Sequence, residues 1–292
     1  MERREFFKTA IAGTVTLGVG SIAGVALAGT ADGGVRITRH EIPFNTLHGK
    51  TLWTPGKRLR IAQLTDIHVG WGTSAQTLQT AQAQAKLVRP DLLVLTGDYL
   101  NHSLAEVDTL RAWVRGLPRP CVATLGNHDW WSGAHEIAKM LESEGIQVLS
   151  NDSLVLPVGG ESLRIVGVED GFTHRDDVGK AFAKVTRPEE ALVLSHDPKT
   201  ADKIAKTGAR LVLSGHTHGG QFDLPGMATM LSAVAGIRYL KGWYQVKNGG
   251  SAEDSAESAA GMKLYVNAGV GSSVPSGRNG TCGSELAIFD LV

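Results

Sequence analysis

The sequence predicts an α/β fold, with two β-sheets packed as a sandwich and flanked by helices. Three observations carry this. From about residue 59 to residue 144, short apolar runs alternate with helical stretches, the pattern of βαβ units and a largely parallel sheet. From Gln147 onward, short strands follow one another closely, which reads as a second, more antiparallel sheet. The 292 residues are 42% hydrophobic and 20% charged, a globular composition in a chain long enough to bury a full core. No internal repeat is visible, and the body reads as one domain.

The elements follow in order. Residues 29–58 read as an N-terminal extension that includes a first strand. Residues 59–292 read as the folded domain. Leu59–Leu64 reads as a strand. Ser74–Val88 reads as a helix capped by Thr73 or Ser74, with Leu78, Ala81, Ala85 and Val88 on one face. Asp91–Leu95 is a buried strand, Leu104–Val114 a helix, Cys121–Leu125 a strand and Ala134–Glu144 a helix. Then come the short strands Val148–Ser150, Leu154–Val158, Leu163–Val168, Leu192–Ser195, Leu211–Ser214, Tyr239–Val246, Lys263–Val266 and Leu286–Leu291. Residues 248–261 (NGGSAEDSAESAAG) are polar and of low complexity, so they read as a flexible hairpin loop between two C-terminal strands.

Composition excludes several classes. The 29 Lys+Arg balance 29 Asp+Glu, which argues against a nucleic-acid binder. Two cysteines are too few for a disulfide framework or a thiolate zinc cluster. Cys121 lies in an apolar strand and is expected to be buried, whereas Cys282 falls in a loop. Glycine is frequent, at 36 residues, which predicts many tight turns and close backbone approaches.

Residues 1–28 read as an address. Arg3-Arg4-Glu5-Phe6-Phe7-Lys8 resembles a twin-arginine (Tat) export signal. A weakly apolar run follows and ends in Ala26-Leu27-Ala28, the small-x-small pattern of a signal-peptidase site. The run of about 20 residues also matches the minimum length of an anchor helix. Both readings place the body in the periplasm or on the outer face of the inner membrane. They imply the Tat machinery as a partner and allow peripheral membrane contact. An exported protein can also carry a disulfide.

The chemistry concentrates at five strand ends. Asp66-Ile67-His68, Gly97-Asp98, Gly126-Asn127-His128-Asp129, His196 and Gly215-His216-Thr217-His218 each follow an apolar run. Open α/β sheets place their sites at the carboxyl ends of strands, so five loops can converge on one crevice. Residues i and i+2 of an extended strand point the same way. If the strands continue, Asp66 and His68 can reach one ion together, and His216 and His218 can reach neighbouring ions. Gly97, Gly126 and Gly215 each precede a ligand type, where the backbone must turn or come close. Imidazoles and carboxylates suit divalent transition metals, and the set exceeds what one ion needs. Asp98 could bridge two ions ~3.5–4 Å apart, the arrangement that hydrolyses phosphate esters.

This ordered set resembles the calcineurin-like metallophosphoesterase superfamily, and within it the bacterial YkuE/YaeI-like phosphodiesterase branch. The resemblance covers about Leu59 to the C-terminus. It implies the four-layer αββα fold and two divalent metal ions, with Mn, Fe or Zn as candidates. By resemblance, Asp66, His68, His218 and Asp98 hold one ion. Asp98 bridges to a second ion held by Asn127, His196 and His216, and a metal-bound hydroxide attacks phosphorus. His128 is then the catalytic histidine that protonates the leaving oxygen or stabilises the transition state, and Asp129 orients it. Asn101, three residues after Asp98, stands where an Fe(III)–tyrosinate centre of this superfamily would carry its tyrosine, and Tyr99 does not take that place. Arg278 is the candidate for gripping a phosphate oxygen, although the chain departs from the branch around Cys282. Asn101 reads as a substrate contact or as a turn residue. Gly219, Gly220 and Gln221 shape the loop behind the histidines.

His40, His48, His102, His135 and His174 read as ordinary surface or packing residues. Trp130 and Trp131 read either as helix packing or as a platform for a base, a sugar or acyl chains. Trp71 invites the same two readings. The function expected is an exported dinuclear-metal hydrolase of phosphoric esters, foremost a phosphodiesterase acting on a lipid- or nucleotide-linked substrate. A pyrophosphatase acting on a UDP-diacylglucosamine-like lipid is the alternative. A non-catalytic metal-binding scaffold is the rival from another class. A lactamase-like hydrolase would need an HxHxDH cluster that the chain lacks.

Overall fold

The computed structural model describes residues 29–30, 34–44, 46–47, 50–51, 54, 56–70, 72–220, 222–223, 237–247, 261–274, 279–280 and 283–292. Residues 1–28, read as an export address, Trp71, Gln221, residues 248–260 of the polar loop, Arg278 and Cys282 lie outside them, as does His48. Among the described residues, no helix is long and apolar enough to cross a membrane.

Two large sheets form the body. The first has seven strands in the spatial order Gly29–Thr30, Val35–Ile42, Ser284–Leu291, Leu59–Leu64, Leu92–Thr96, Cys121–Thr124 and Gln147–Val148. The second has six, ordered Gly242–Val246, Met262–Val266, Leu211–Ser214, Ala191–Ser195, Glu161–Val168 and Asp152–Val158. Gly242–Val246 and Met262–Val266 pair antiparallel, Val246 opposite Met262.

Alternation of side chains builds the layers. Ile61, Leu92, Val94, Val122 and Phe289 of the first sheet meet Leu163, Ile165, Leu192, Leu194, Leu211 and Leu213 of the second in one buried cluster. Their chain neighbours point the other way. Ala62, Leu93, Leu95, Ala123 and Ile288 pack under the helices α1 (Ala75–Leu87), α2 (Val107–Arg115) and α4 (Ala134–Ser143). Val166, Val193, Val212 and Leu264 pack under Ala201, Ile204 and Ala205. Strands buried on both faces read as continuous apolar runs, which is why Leu92–Leu95 and Leu211–Leu213 lack visible alternation. The result is helix, sheet, sheet, helix. Ser74 caps α1, its side chain accepting from the Thr77 amide at 3.0 Å.

Three expectations are corrected. Gln147–Val148 does not open the second sheet; it pairs parallel with Cys121–Thr124 at the edge of the first. Ser284–Leu291 belongs to the middle of the first sheet, between Val35–Ile42 and Leu59–Leu64. The second sheet is not mainly antiparallel, because its central junctions, joining Glu161–Val168, Ala191–Ser195, Leu211–Ser214 and Met262–Val266, are all parallel. Among the described residues, the connections between these strands carry only short helical turns, which hid the crossovers in the sequence. A further short helix, α3 (Asn127–Ser132), begins on the Gly-Asn-His-Asp motif itself.

Candidate metal centre

Sheet order brings the five loops together. Gln63 pins the two sheets just below them, its amide donating to Thr96 Oγ1 at 2.9 Å and to the Ser214 carbonyl at 3.0 Å. The loops are then zipped by main-chain bonds: Asp66 N to Gly97 O at 2.9 Å, Ile67 N to Asp98 O at 2.8 Å and Gly271 N to Asp66 O at 2.7 Å.

The expected extended geometry does not hold. Strands end at Leu64 and Ser214, and Asp66, His68, Asp98, His216 and His218 have φ between 45° and 75°. That left-handed region is costly for side-chain-bearing residues and persists only where surroundings enforce it. The turns, not strand alternation, aim these side chains. Two glycines make the close approach possible. A Cβ on Gly126 would lie 2.3 Å from Asp98 Oδ1, and one on Gly215 would lie 2.3 Å from Asp66 Oδ2.

Two overlapping groups of ligand-type side chains result. Asp66, His68, Asp98 and His218 bring one ligand atom each within 4.8 Å of the others, as do Asp98, His196 and His216. His218 Nε2 lies 3.3 Å from Asp66 Oδ1, His68 Nε2 lies 3.6 Å from Asp98 Oδ2, and His196 Nε2 lies 3.2 Å from Asp98 Oδ2. Asn127 Oδ1 stands 3.2 Å from His196 Nε2 and 2.9 Å from His216 Nδ1. Asp98 therefore lies between both groups. His196 Nδ1 sits 2.7 Å from the Thr96 carbonyl, which can only accept. Nδ1 is thereby assigned the proton, and the Nε2 lone pair is turned to the site.

Electrostatics match this donor set. Burial pushes the His68 imidazole down to about 3, so it stays neutral with a lone pair to give. Burial works to raise the Asp98 carboxyl, but the imidazoles of His196 and His68 overcome it and hold the group well below the carboxylate range. Burial pulls His196 down, yet Asp98 beside it lifts it well above its ordinary value. His216 is lowered by burial and by His196. Divalent ions require neutral imidazoles and ionised carboxylates. His68, His216 and Asp98 are shifted toward that state, whereas His196, charged beside Asp98, would give up its Nε2 proton when an ion binds. The residues present fit a two-ion centre.

Asp129 departs from its expected role. Its carboxylate takes the amides of Asp98 at 2.8 Å, Tyr99 at 2.8 Å and Gly126 at 2.9 Å. Among the described contacts it makes no hydrogen bond to His128. It shapes the Asp98 turn instead, although burial and the Asp98 charge push its own pKa up to about 7. His128 is oriented by a main-chain group, with Nδ1 2.5 Å from the Asn101 carbonyl. The Asn101 side chain is buried and donates to the Ser273 carbonyl at 3.3 Å, so its observed contacts are structural. Tyr99 is fully buried, its hydroxyl donating to the Thr124 carbonyl at 2.8 Å.

Sequence reasoning missed two neighbours of the site. The His102 ring lies 4.9 Å from that of His128, and the Phe172 ring lies 5.0 Å from that of His216. His102 had a signal, being four residues after Asp98 on the same strand-end loop. Phe172 follows a strand that carries no ligand motif. The tryptophans divide: Trp130 packs on the core, and Trp131 stands at the site. His135 and His174 are exposed, as expected of ordinary surface residues.

Comparison with known proteins agrees. The calcineurin-like phosphoesterase family model matches residues 59–220. The uncharacterized metallophosphoesterase YkuE of Bacillus subtilis (strain 168) is 27% identical over 285 residues, covering 93% of this chain and 91% of that protein. Phosphodiesterase YaeI of Escherichia coli (strain K12) is 30% identical over 243 residues, covering 80% of this chain and 82% of that protein. The UDP-2,3-diacylglucosamine pyrophosphatase LpxG of Chlamydia trachomatis serovar D is 27% identical over 233 residues, covering 62% and 67%. With the family model spanning more than half the chain and the strand-end motifs meeting in one buried centre, the chain belongs to the calcineurin-like phosphoesterase family.

Proposed function

We propose that this protein is a dinuclear-metal phosphodiesterase, exported by its twin-arginine N-terminus to the periplasm or the outer face of the inner membrane. The observation that carries the reading is Asp98, shared by two groups of ligand-type side chains. Asp66, His68, His218 and Asp98 would hold one divalent ion, and Asp98, Asn127, His196 and His216 the other. When bound, the two ions supply a nucleophilic hydroxide at neutral pH and neutralise phosphoryl oxygens. The chain's own residues do the rest. His128, with Nδ1 held by the Asn101 carbonyl, keeps Nε2 as the ring nitrogen that returns a proton to the leaving oxygen. Asp129 holds the Asp98 turn by three amides, so the shared carboxylate does not swing. Arg278 is the candidate for the phosphate oxygens.

The resemblance to LpxG supports a second reading, in which the bond cleaved is a pyrophosphate in a nucleotide-linked lipid. A complete ligand set together with His128 speaks against a non-catalytic scaffold. The test is hydrolysis of bis(p-nitrophenyl) phosphate and p-nitrophenyl phosphate by chain loaded with Mn, Zn or Fe, beside Asp98→Asn. Metal-dependent diester cleavage that is lost in the variant supports the proposal. Two bound ions without cleavage of either ester would turn it toward a selective pyrophosphatase. Export is tested with a reporter fused to residues 1–28, which should leave the cytoplasm only while Arg3 and Arg4 are intact.

A further inference from the structure

Three large aromatic side chains are well exposed among the described residues, and two of them flank the metal centre. Trp131 is 48% exposed and Phe172 50%. Trp131 lies with its ring 4.7 Å from that of His128, and Phe172 with its ring 5.0 Å from that of His216. Water contact for surface of this kind is unfavourable, and here it borders the residues assigned to chemistry.

The two rings are held in place without a ligand. Trp130 and Trp131 are consecutive on α3, about 100° apart around the helix. Trp130 turns to the core, and Trp131 is left over the site. Trp130 also docks the loop that carries Phe172. Its Nε1 donates to Glu169 Oε2 at 2.9 Å, and the Arg175 guanidinium covers its ring at 3.6 Å. Asn151 ties the same loop at both ends, its Oδ1 accepting from the Glu169 and Asp177 amides, each at 3.0 Å. Its Nδ2 donates to the Arg175 carbonyl at 2.8 Å. A surface ordered in advance loses little entropy on binding.

The mutual angle selects the occupant. Trp131 and Phe172 stand 6.1 Å apart at 77°, forming a corner. A flat ring laid on one face presents its edge to the other, and both contacts are favoured aromatic geometries. The rings that touch the pair are imidazoles, those of His102, His128 and His216, whose polar edges suit a heterocycle. We propose that Trp131 and Phe172 form a stacking clamp for a planar heterocyclic base, so that the site takes nucleotide-type phosphoesters. The inference rests on the phosphoesterase reading above and names its substrate class.

The test compares adenosine 5′-monophosphate with ribose 5-phosphate, which share phosphate and sugar, by calorimetric titration of the metal-loaded full chain. The nucleotide is expected to bind about tenfold tighter, the equivalent of ~1.4 kcal/mol, within the range of base–aromatic stacking. Trp131→Ala and Phe172→Ala should each remove most of that advantage and leave ribose 5-phosphate binding unchanged. Trp131→Phe should keep most of it. Equal binding of the two ligands by the native chain would overturn the clamp. So would equal weakening of both ligands in the variants, or tighter ring-dependent binding of dodecyl phosphate, which would assign the corner to acyl chains. Diester hydrolysis is measured on the same preparations. Ring-dependent nucleotide binding without hydrolysis would sustain the clamp and overturn the phosphodiesterase reading instead.

Discussion

His68 and His218 face each other Nε2 to Nε2 across 3.0 Å. Burial keeps His68 neutral, and the carboxylates of Asp66 and Asp98 stand beside the pair. Two facing imidazole nitrogens can satisfy each other through one proton at most. A cation between them and the two carboxylates satisfies all four groups at once, and this gives the centre its testable consequences.

Replacing Asp98 by Asn removes the charge that the two groups of ligands share. Metal content should fall from two ions to one or fewer per chain, measured by elemental analysis after gel filtration. Diester turnover should fall roughly 10²–10⁴-fold, the scale of several kcal/mol of lost transition-state stabilisation. Full activity with one ion per chain would remove the dinuclear mechanism.

His128→Asn should separate chemistry from metal binding. The kcat is expected to drop on the order of 10²–10⁴-fold, the usual contribution of a general acid, with metal content unchanged. Loss of both ions in this variant would assign His128 to the ligand set instead.

Asp129→Ala leaves the amides of Asp98, Tyr99 and Gly126 buried without their acceptor. Unsatisfied buried donors cost roughly 1–3 kcal/mol each. The variant should therefore unfold at lower temperature than the native chain in chelator, and it should bind metal more weakly. Asp129→Asn keeps an acceptor oxygen and should lose less on both counts. The opposite order would point to charge, not amide capping, as the reason for this carboxylate.

The metal-free chain should lose stability in acid through His68. Its native pKa is about 3 against an ordinary 6.5. Between these values the unfolded chain binds the proton and the native chain does not, so stability rises with pH across this window and falls on acidification through it. The slope attributable to one such group is at most about 1.4 kcal/mol per pH unit. Urea unfolding of native chain and His68→Gln between neutral pH and pH 4 measures it. The variant's curve should be flatter, and an identical slope would mean that His68 takes up its proton in the native state.

Cys121 is a free, buried thiol that burial pushes up to about 12. In a Cys282→Ser chain it is the one remaining cysteine. It should resist a thiol-specific disulfide reagent at mildly alkaline pH and react fully once the chain is unfolded. Rapid reaction in the native state would show that the Cys121–Thr124 strand opens readily.

Much of the centre was legible because its information is local. Asp66, His68, Asp98, Asn127, His196, His216 and His218 stand directly after apolar runs, and a run that must be a buried strand delivers its next residues to one sheet end. Helix α1 was legible for the same reason, through its cap and its apolar face. The placement of Ser284–Leu291 was not. An apolar strand buried on both faces carries no mark of which neighbour it joins, and its partners Val35–Ile42 and Leu59–Leu64 lie more than 200 residues away in the chain. The left-handed turns at Asp66 and His68 were hidden as well, because non-glycine residues adopt them only under tertiary constraint.

Asp129 and the two aromatic neighbours show where local reading ends. Asp129 sits beside His128 in sequence, yet helix α3 turns its carboxylate toward the Asp98 loop. Phe172 reaches His216 only because Trp130 and Asn151 anchor its loop. Residue types and their spacing after buried strands were enough for the α/β class, the family and the side chains that meet in the centre. The strand order, the aim of each ligand and the shape of the cleft came only with the tertiary structure. Those features depend on contacts between segments far apart in the chain, and hydrophobic burial specifies that such contacts form without specifying which.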